Sequence, residues 1–356
     1  MITQARGNLL EADVDALVNT VNTVGIMGKG IALQFKRAFP QMFKAYAQAC
    51  KDGGVALGSM HVWHTEEIRG PQLVINFPTK GHWRSRSRIE DIEAGLDDLV
   101  RVIRDERIRS IAVPPLGCGH GGLDWAEVEP LIRVKLAEVP AVAVQLFAPD
   151  GAPAASEMTT RGAAPRVTPS RAALIAAIAR YSSVSLEGAT PIAVHKLMYF
   201  LQASGFGLNL NFEKHHYGPY ADAVRAMLRE LEGHQLRGFG DGSQLVELAE
   251  PITVIDDSGV AAKLAEDDMA SYQDHLDRVM DLVAGFESTF SLELLATVHW
   301  VATHPSAGEA PTDDAVVSAV RNWSARKGGL FQPEHVRVAI DALRAGGWLK
   351  PAASMV

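Results

Sequence analysis

Along the first 150 residues the apolar positions fall into two alternating patterns. Short aliphatic runs, Leu17–Val18, Leu73–Ile75, Ile111–Val113 and Val142 to Phe147, read as buried strands. Between them, Ile31 to Cys50, Arg88 to Asp105 and Ala126 to Glu138 place apolar side chains three and four apart, the period of a helix with one buried face. Strand and helix in alternation predict an α/β fold, a mixed and largely parallel sheet sandwiched by helices. The pattern then stops. From Pro149 to Ser170, 16 of 22 residues are Pro, Ala, Gly, Ser or Thr, the composition of a linker. Beyond it the helical period returns at Pro169 to Tyr181, Pro191 to Ala203, Tyr220 to Glu232 and Ala270 to Phe286. A tail from Leu292 to Trp348 carries three helical patterns and the turn Gly346–Gly347, which suggests a small winged-helix-like unit. The predicted organisation is an α/β domain over 1–150, a linker over 151–169 and a mainly helical domain over 170–356, with a subdivision near 288.

Composition narrows the class. With 47% hydrophobic and 21% charged residues among 356, the chain resembles neither a disordered nor a fibrous protein. No apolar run approaches the roughly 18 residues of a membrane span, and the first residues lack the apolar stretch of a signal peptide, so the expectation is a cytoplasmic protein with no membrane partner. Cys50 and Cys118 lie far apart, which excludes a disulfide framework and a zinc ribbon. Charge is uneven: residues 1–150 carry 17 basic against 18 acidic side chains, and residues 151–356 carry 17 against 24. That balance argues against nonspecific coating of nucleic acid and suits a basic partner for the second half.

Two glycine-rich stretches carry the chemistry. In the first, the strand Leu17 to Asn22 runs through Gly25, Gly28, Lys29 and Gly30 into the helix that starts at Ile31. Bare backbone N–H groups and the positive end of a helix dipole at one spot form a phosphate cradle. It is no Walker A motif, because Ile31 and Ala32 follow Gly30, and no dinucleotide fingerprint, because Leu33 stands where the last glycine belongs. A second cluster, Gly117, Cys118, Gly119, His120, Gly121 and Gly122, follows the strand ending at Val113. Two such loops can grip a diphosphate from opposite sides with few cationic side chains. Between them lies Asn76-Phe77-Pro78-Thr79-Lys80. Lys80 follows a strand, where open α/β sheets place their ligands, although loop lysines are commonly just solvated. His82, Trp83 and Arg84 either clamp and stack a nucleic acid or form a solvated loop in which Ser85 or Ser87 caps the next helix. His61 with His64 and His215 with His216 lack companions at ligand spacing, so no metal site is expected.

Gly7-Asn8-Leu9-Leu10, Val14 to Asn22, Gly25 to Leu33, Asn76 to Lys80 and Pro115 to Gly119, in that order, resemble the macrodomain family, and within it the DarG-type branch of antitoxins that remove ADP-ribose from DNA. Leu197-Met198-Tyr199-Phe200 with Phe212, Lys214 and Tyr217-Gly218-Pro219 more faintly resembles the helical Panacea/SocA-like antitoxin domain. The resemblance implies a substrate, ADP-ribose on thymine in single-stranded DNA, and a partner, a DarT-like toxin bound through residues 170–356. It implies that Asn8 and Leu9 lie at the adenine, that Asn22 orients the distal ribose, and that Gly28, Lys29, Gly30 and Ile31 with Gly117, Cys118, Gly119, His120 and Gly121 hold the diphosphate and its ribose. Thr79 belongs to the same substrate-binding set. Lys80 becomes the catalytic residue, with no metal or cofactor. A related glycohydrolase pairs this lysine with an Asp shortly after the G-C-G stretch; this chain has Gly121 there, and Asp124 substitutes only if its turn points inward. A lysine can attack the anomeric carbon only as the neutral amine, which requires burial or nearby cations. The competing readings are a non-catalytic ADP-ribose reader, an enzyme acting on protein ADP-ribose, and a DNA-binding repressor, the last disfavoured by the acidic second half.

Overall fold

The computed structural model describes residues 1–67, 70–244, 249–266, 269–305 and 311–350. They divide into two compact units, one comprising Met1–Ala163 and Gly240–Gln244, the other Ala164–Phe239 and Leu245–Val356.

The first unit is built on a six-stranded sheet. Its strands are β1 (Ile2–Ala5), β2 (Ala16–Asn22), β3 (His61–His64), β4 (Leu73–Lys80), β5 (Ser110–Val113) and β6 (Ala143–Phe147), in the spatial order β1-β6-β5-β2-β4-β3. All neighbours run parallel except the edge pair β3–β4. The long apolar runs of β2 and β4 follow from burial on both faces. Ala16, Val18, Ile75 and Phe77 pack with Leu96 and Ile132 on one side, while Leu17, Val21 and Val74 pack with Phe35, Met42 and Tyr46 on the other. The covering helices are α1 (Gly30–Ala38), α2 (Pro40–Lys51), α3 (Ile89–Asp105) and α4 (Trp125–Leu136). The α/β sandwich is thus the predicted one. Three details differ. The helical stretch 31–50 is two helices, because Pro40 drives Phe39 out of helical geometry, to φ −130° and ψ 70°. The strands β1 and β3 sit at the sheet edges, half exposed, and lack the apolar run that marks the inner strands. Neither Ser85 nor Ser87 caps α3, whose N-cap is Arg88 without a side-chain bond.

The Pro- and Ala-rich stretch is packed over part of its length. Ala155–Glu157 forms a single 3-10 turn with Ala155 buried, the Glu157 carbonyl accepts from Asn8 Nδ2 at 2.8 Å, and the Arg161 N–H donates to the Arg37 carbonyl.

The second unit is mainly helical around one core that includes Leu174, Phe200, Leu228, Leu295 and Ile340. Pro191–Ala203 is its central helix, buried from Ile192 through Leu201, with Thr190 capping its N-terminus through the Ala193 N–H. From Thr289 onward there are four helices, Thr289–Thr303, Asp313–Arg321, Ala325–Leu330 and Pro333–Ala345, and no strand among the described residues. The strands that the wing of a winged-helix-like unit would need are thus absent among the described residues of the tail.

Candidate active site at the ends of three parallel strands

Because β2, β4 and β5 are parallel neighbours, their C-terminal ends open onto one edge of the sheet, and the two glycine loops and Lys80 all leave from that edge. The first loop is held by Asn22, at the end of β2. Its Nδ2 donates to the Ile26 carbonyl at 2.6 Å, and its Oδ1 accepts from the N–H groups of Val24 at 3.0 Å and Ile26 at 3.3 Å. The Tyr46 hydroxyl closes the turn by donating to the Asn22 carbonyl. Asn22, given a ribose-orienting role by the family resemblance, is here the staple of the loop. Gly28 and Lys29 follow, and α1 starts at Gly30, whose φ of +61° suits glycine.

The second loop turns back on itself. The Leu123 N–H donates to the Gly117 carbonyl, and the Gly121 carbonyl accepts from the Ser87 N–H at 3.0 Å. A Cβ at Gly121 would stand 2.3 Å from both the Gly117 carbonyl oxygen and Ser87 Oγ, so no acidic side chain fits at that position. A Cβ at Gly119 would meet nothing within 4 Å, and one at Gly28 only an ordinary contact with Ile26. These two glycines face open space. The two loops meet at His120, since a Cβ on Gly30 would lie 3.5 Å from its ring.

Lys80, the last residue of β4, reaches into this meeting point. Its Nζ donates to the His120 carbonyl at 3.1 Å, and partial burial holds its pKa below the ordinary lysine value. His120 is likewise held below the usual histidine value, first by burial and then by the charges of Lys29 and Lys80, against the opposing charge of Asp241. Thr79 is buried just before Lys80. Cys118 is a half-buried thiol pushed up to about 11 by burial and the charge of Asp124, so it stays protonated and unreactive at neutral pH. Asp124 is occupied as the N-cap of α4, accepting from the Ala126 N–H at 2.9 Å.

Asn8 and Leu9 mark a short 3-10 turn in which Asn8 Oδ1 accepts from the Leu10 N–H and Leu9 is buried. Ile31 is half-buried in the first turn of α1. Beyond Lys80, the exposed His82, Trp83 and Arg84 form one aromatic and cationic surface. The His82 and Trp83 rings lie 5.3 Å apart at 32°, and the Arg84 guanidinium sits 4.4 Å from the Trp83 ring centre. Among the described residues no group of His, Cys, Asp and Glu could hold a metal ion, and no helix is long and apolar enough to cross a membrane. Asp241, whose charge acts on His120 from more than 110 residues beyond the last glycine of the second loop, stands outside the sequence expectations, because a lone aspartate in a Gly-rich turn carries no motif.

A family model described as Macro domain matches residues 18–132. The chain is 42% identical to the DNA ADP-ribosyl glycohydrolase of Thermus aquaticus, over 99% of this chain and 95% of that protein. It is 43% identical to the Mycobacterium tuberculosis protein of the same name, over 96% of this chain and 99% of that one. A DNA ADP-ribosyl transferase-DNA ADP-ribosyl glycohydrolase fusion protein of Thermosipho africanus matches at 33% identity over 42% of each chain. With two relatives aligned over nearly the whole length of both partners, the chain belongs to the DNA ADP-ribosyl glycohydrolase family and carries its macrodomain in the first unit.

Proposed function

We propose that this protein removes ADP-ribose from thymine in single-stranded DNA, with Lys80 as nucleophile. The observation that carries the reading is the position of Lys80: it ends a buried strand between two backbone-lined loops, with its Nζ on the His120 carbonyl and its pKa lowered by burial. The glycine loops hold the diphosphate, the Asn8–Leu9 turn takes the adenine end, and Asn22 with the first loop faces the distal ribose. The neutral Lys80 amine forms a bond to the anomeric carbon as the carbon–nitrogen bond to thymine breaks; the electron pair leaves with the thymine nitrogen, which takes up a proton. The ribose ring opens to an imine on Lys80, and one water hydrolyses it, returning free lysine and ADP-ribose. Water is the only co-reactant. Backbone N–H groups are fixed donors for charge that develops on the way. His82, Trp83 and Arg84 lie next to this point on exposed surface and suit a flanking base and phosphate of the DNA strand.

The second unit, on this reading, binds a DNA ADP-ribosyl transferase toxin through residues 170–356 and so neutralises it without chemistry, in the cytoplasm. Its support is the acidic balance of the second half and the fused transferase in the Thermosipho relative.

Reductive trapping tests the chemistry. With ADP-ribosylated oligonucleotide and cyanoborohydride, wild type is expected to acquire a covalent ADP-ribosyl adduct on Lys80 and Lys80→Arg none. Turnover by wild type without trapping in either protein would leave hydrolysis and remove the imine; binding without turnover would make the protein an ADP-ribose reader.

A further inference from the structure

Helix α1 buries two polar side chains three residues apart, on one face, where buried polar groups need partners. Gln34 is 5% exposed and Arg37 9%. Both find acceptors in one short segment some 200 residues away that belongs to the same compact unit. Gln34 Nε2 donates to Asp241 Oδ2 at 2.6 Å, and Arg37 Nη1 donates to the Gly240 carbonyl at 2.9 Å. Asp241 is itself 2% exposed. Its Oδ1 accepts from the Ser243 N–H at 2.9 Å and from the Ser243 hydroxyl, which fixes the carboxylate's orientation. At Gly240, with φ +59°, a Cβ would lie 3.4 Å from the end of the Met158 side chain, so the segment is seated on both sides.

This seat adjoins the candidate site. The first residue of α1 is Gly30, where an added Cβ would lie 3.5 Å from the ring of His120, whose carbonyl holds Lys80. The charged groups acting on His120 are Lys29 and Lys80 on one side of the balance and Asp241 on the other. Resting on the reading of this crevice as the ADP-ribose site, we propose that Asp241 is a positioning residue for it. Through Gln34 it holds α1 beside the second glycine loop, and its negative charge offsets those of Lys29 and Lys80 at His120.

Two variants of the full chain separate anchoring from charge. Asp241→Asn removes the charge and can keep an oxygen for Gln34, at the cost of the acceptor that Ser243 now uses; Asp241→Ala removes the charge and both acceptors. The His120 ring is followed by NMR against pH, its signal assigned by its loss in His120→Gln. Without the Asp241 carboxylate, Lys29 and Lys80 act unopposed, so His120 is expected to titrate about half a pH unit lower in Asp241→Asn than in wild type. Calorimetry with free ADP-ribose is expected to show about tenfold weaker binding for Asp241→Ala and less than about threefold for Asp241→Asn. An unmoved His120 titration in Asp241→Asn overturns the electrostatic role, and wild-type affinity in Asp241→Ala overturns the anchoring role. If Asp241→Ala does not fold, the titration of Asp241→Asn still decides. A wild type that binds no ADP-ribose would instead remove the functional reading of the crevice, while the titration would still report on Asp241.

Discussion

At the scale of residues, the site separates glycines that need to be small from glycines that leave room. Gly28→Glu or Gly119→Glu adds a side chain and a negative charge where the backbone now faces open space, so ADP-ribose binding should be lost with the thermal melt nearly unchanged. Gly121→Ala should do the reverse of a silent change. Its Cβ meets the Gly117 carbonyl and Ser87 Oγ, so the loop must shift, and a stability loss of about 1–3 kcal/mol is expected from the overpacking. Calorimetry and melts on the three variants check both statements; equal effects at Gly119 and Gly121 would contradict the loop geometry. The meeting of the two glycine loops and Lys80 at one sheet edge was legible in the sequence, since each follows a buried strand of an α/β pattern. The division of labour among the polar residues beside them was not. Asn22 and Asp124 look alike in sequence as polar residues beside a glycine loop, yet one staples the loop and the other caps a helix, because each bonds to whatever backbone N–H lies within reach.

At the scale of elements, Lys80 is presented by β4, and β4 is seated by α3. Helix α3 approaches closely because residue 95 is glycine: a Cβ there would stand 2.3 Å from the Phe77 ring. Gly95→Ala raises intrinsic helix propensity by about 1 kcal/mol, but the clash falls on a fully buried ring three residues before Lys80. The expected net result is a lower melting temperature together with slower turnover; a stabilised variant would show that the ring moves aside freely. The inner strands and the three helical stretches that cover them could be read from periodicity, because burial on both faces of the sheet forces apolar runs. The edge strands could not, since His61–His64 pairs with β4 on one side only and needs no such run. Helix breaks depend on one residue, and Pro40 was visible but its effect was outweighed by an unbroken apolar period.

At the scale of the whole molecule, the two units have different sensitivities. The second buries ionisable groups: His195 is lowered to about 3 by burial and the charge of Lys196, and His299 to about 4 by burial and the charge of His304. Glu293 is also lowered, because hydrogen bonds from Arg326 and Lys327 outweigh its burial. Each folded-state value lies below the unfolded one, so the unfolded chain binds more protons as pH falls. Through these groups the second unit should lose stability steadily as pH falls from about 6.5 toward 4; a melt that does not move over that window would contradict the buried, neutral histidines. Glu293→Gln should cost about 3–5 kcal/mol at neutral pH, because it leaves the fully buried Lys327 without its carboxylate. Toxin association through the acidic second half is expected to weaken as salt rises, measured by gel filtration with Lys80→Ala so that hydrolysis plays no part; salt-insensitive association would keep the partner and discard the electrostatic account. The most direct test of the central claim is a time course of ADP-ribose release from an ADP-ribosylated single-stranded oligonucleotide by wild type and Lys80→Ala, beside calorimetry with ADP-ribose. Lys80→Ala is expected to lose turnover by several orders of magnitude while its affinity for ADP-ribose stays close to wild type. Turnover within about tenfold of wild type would contradict that claim.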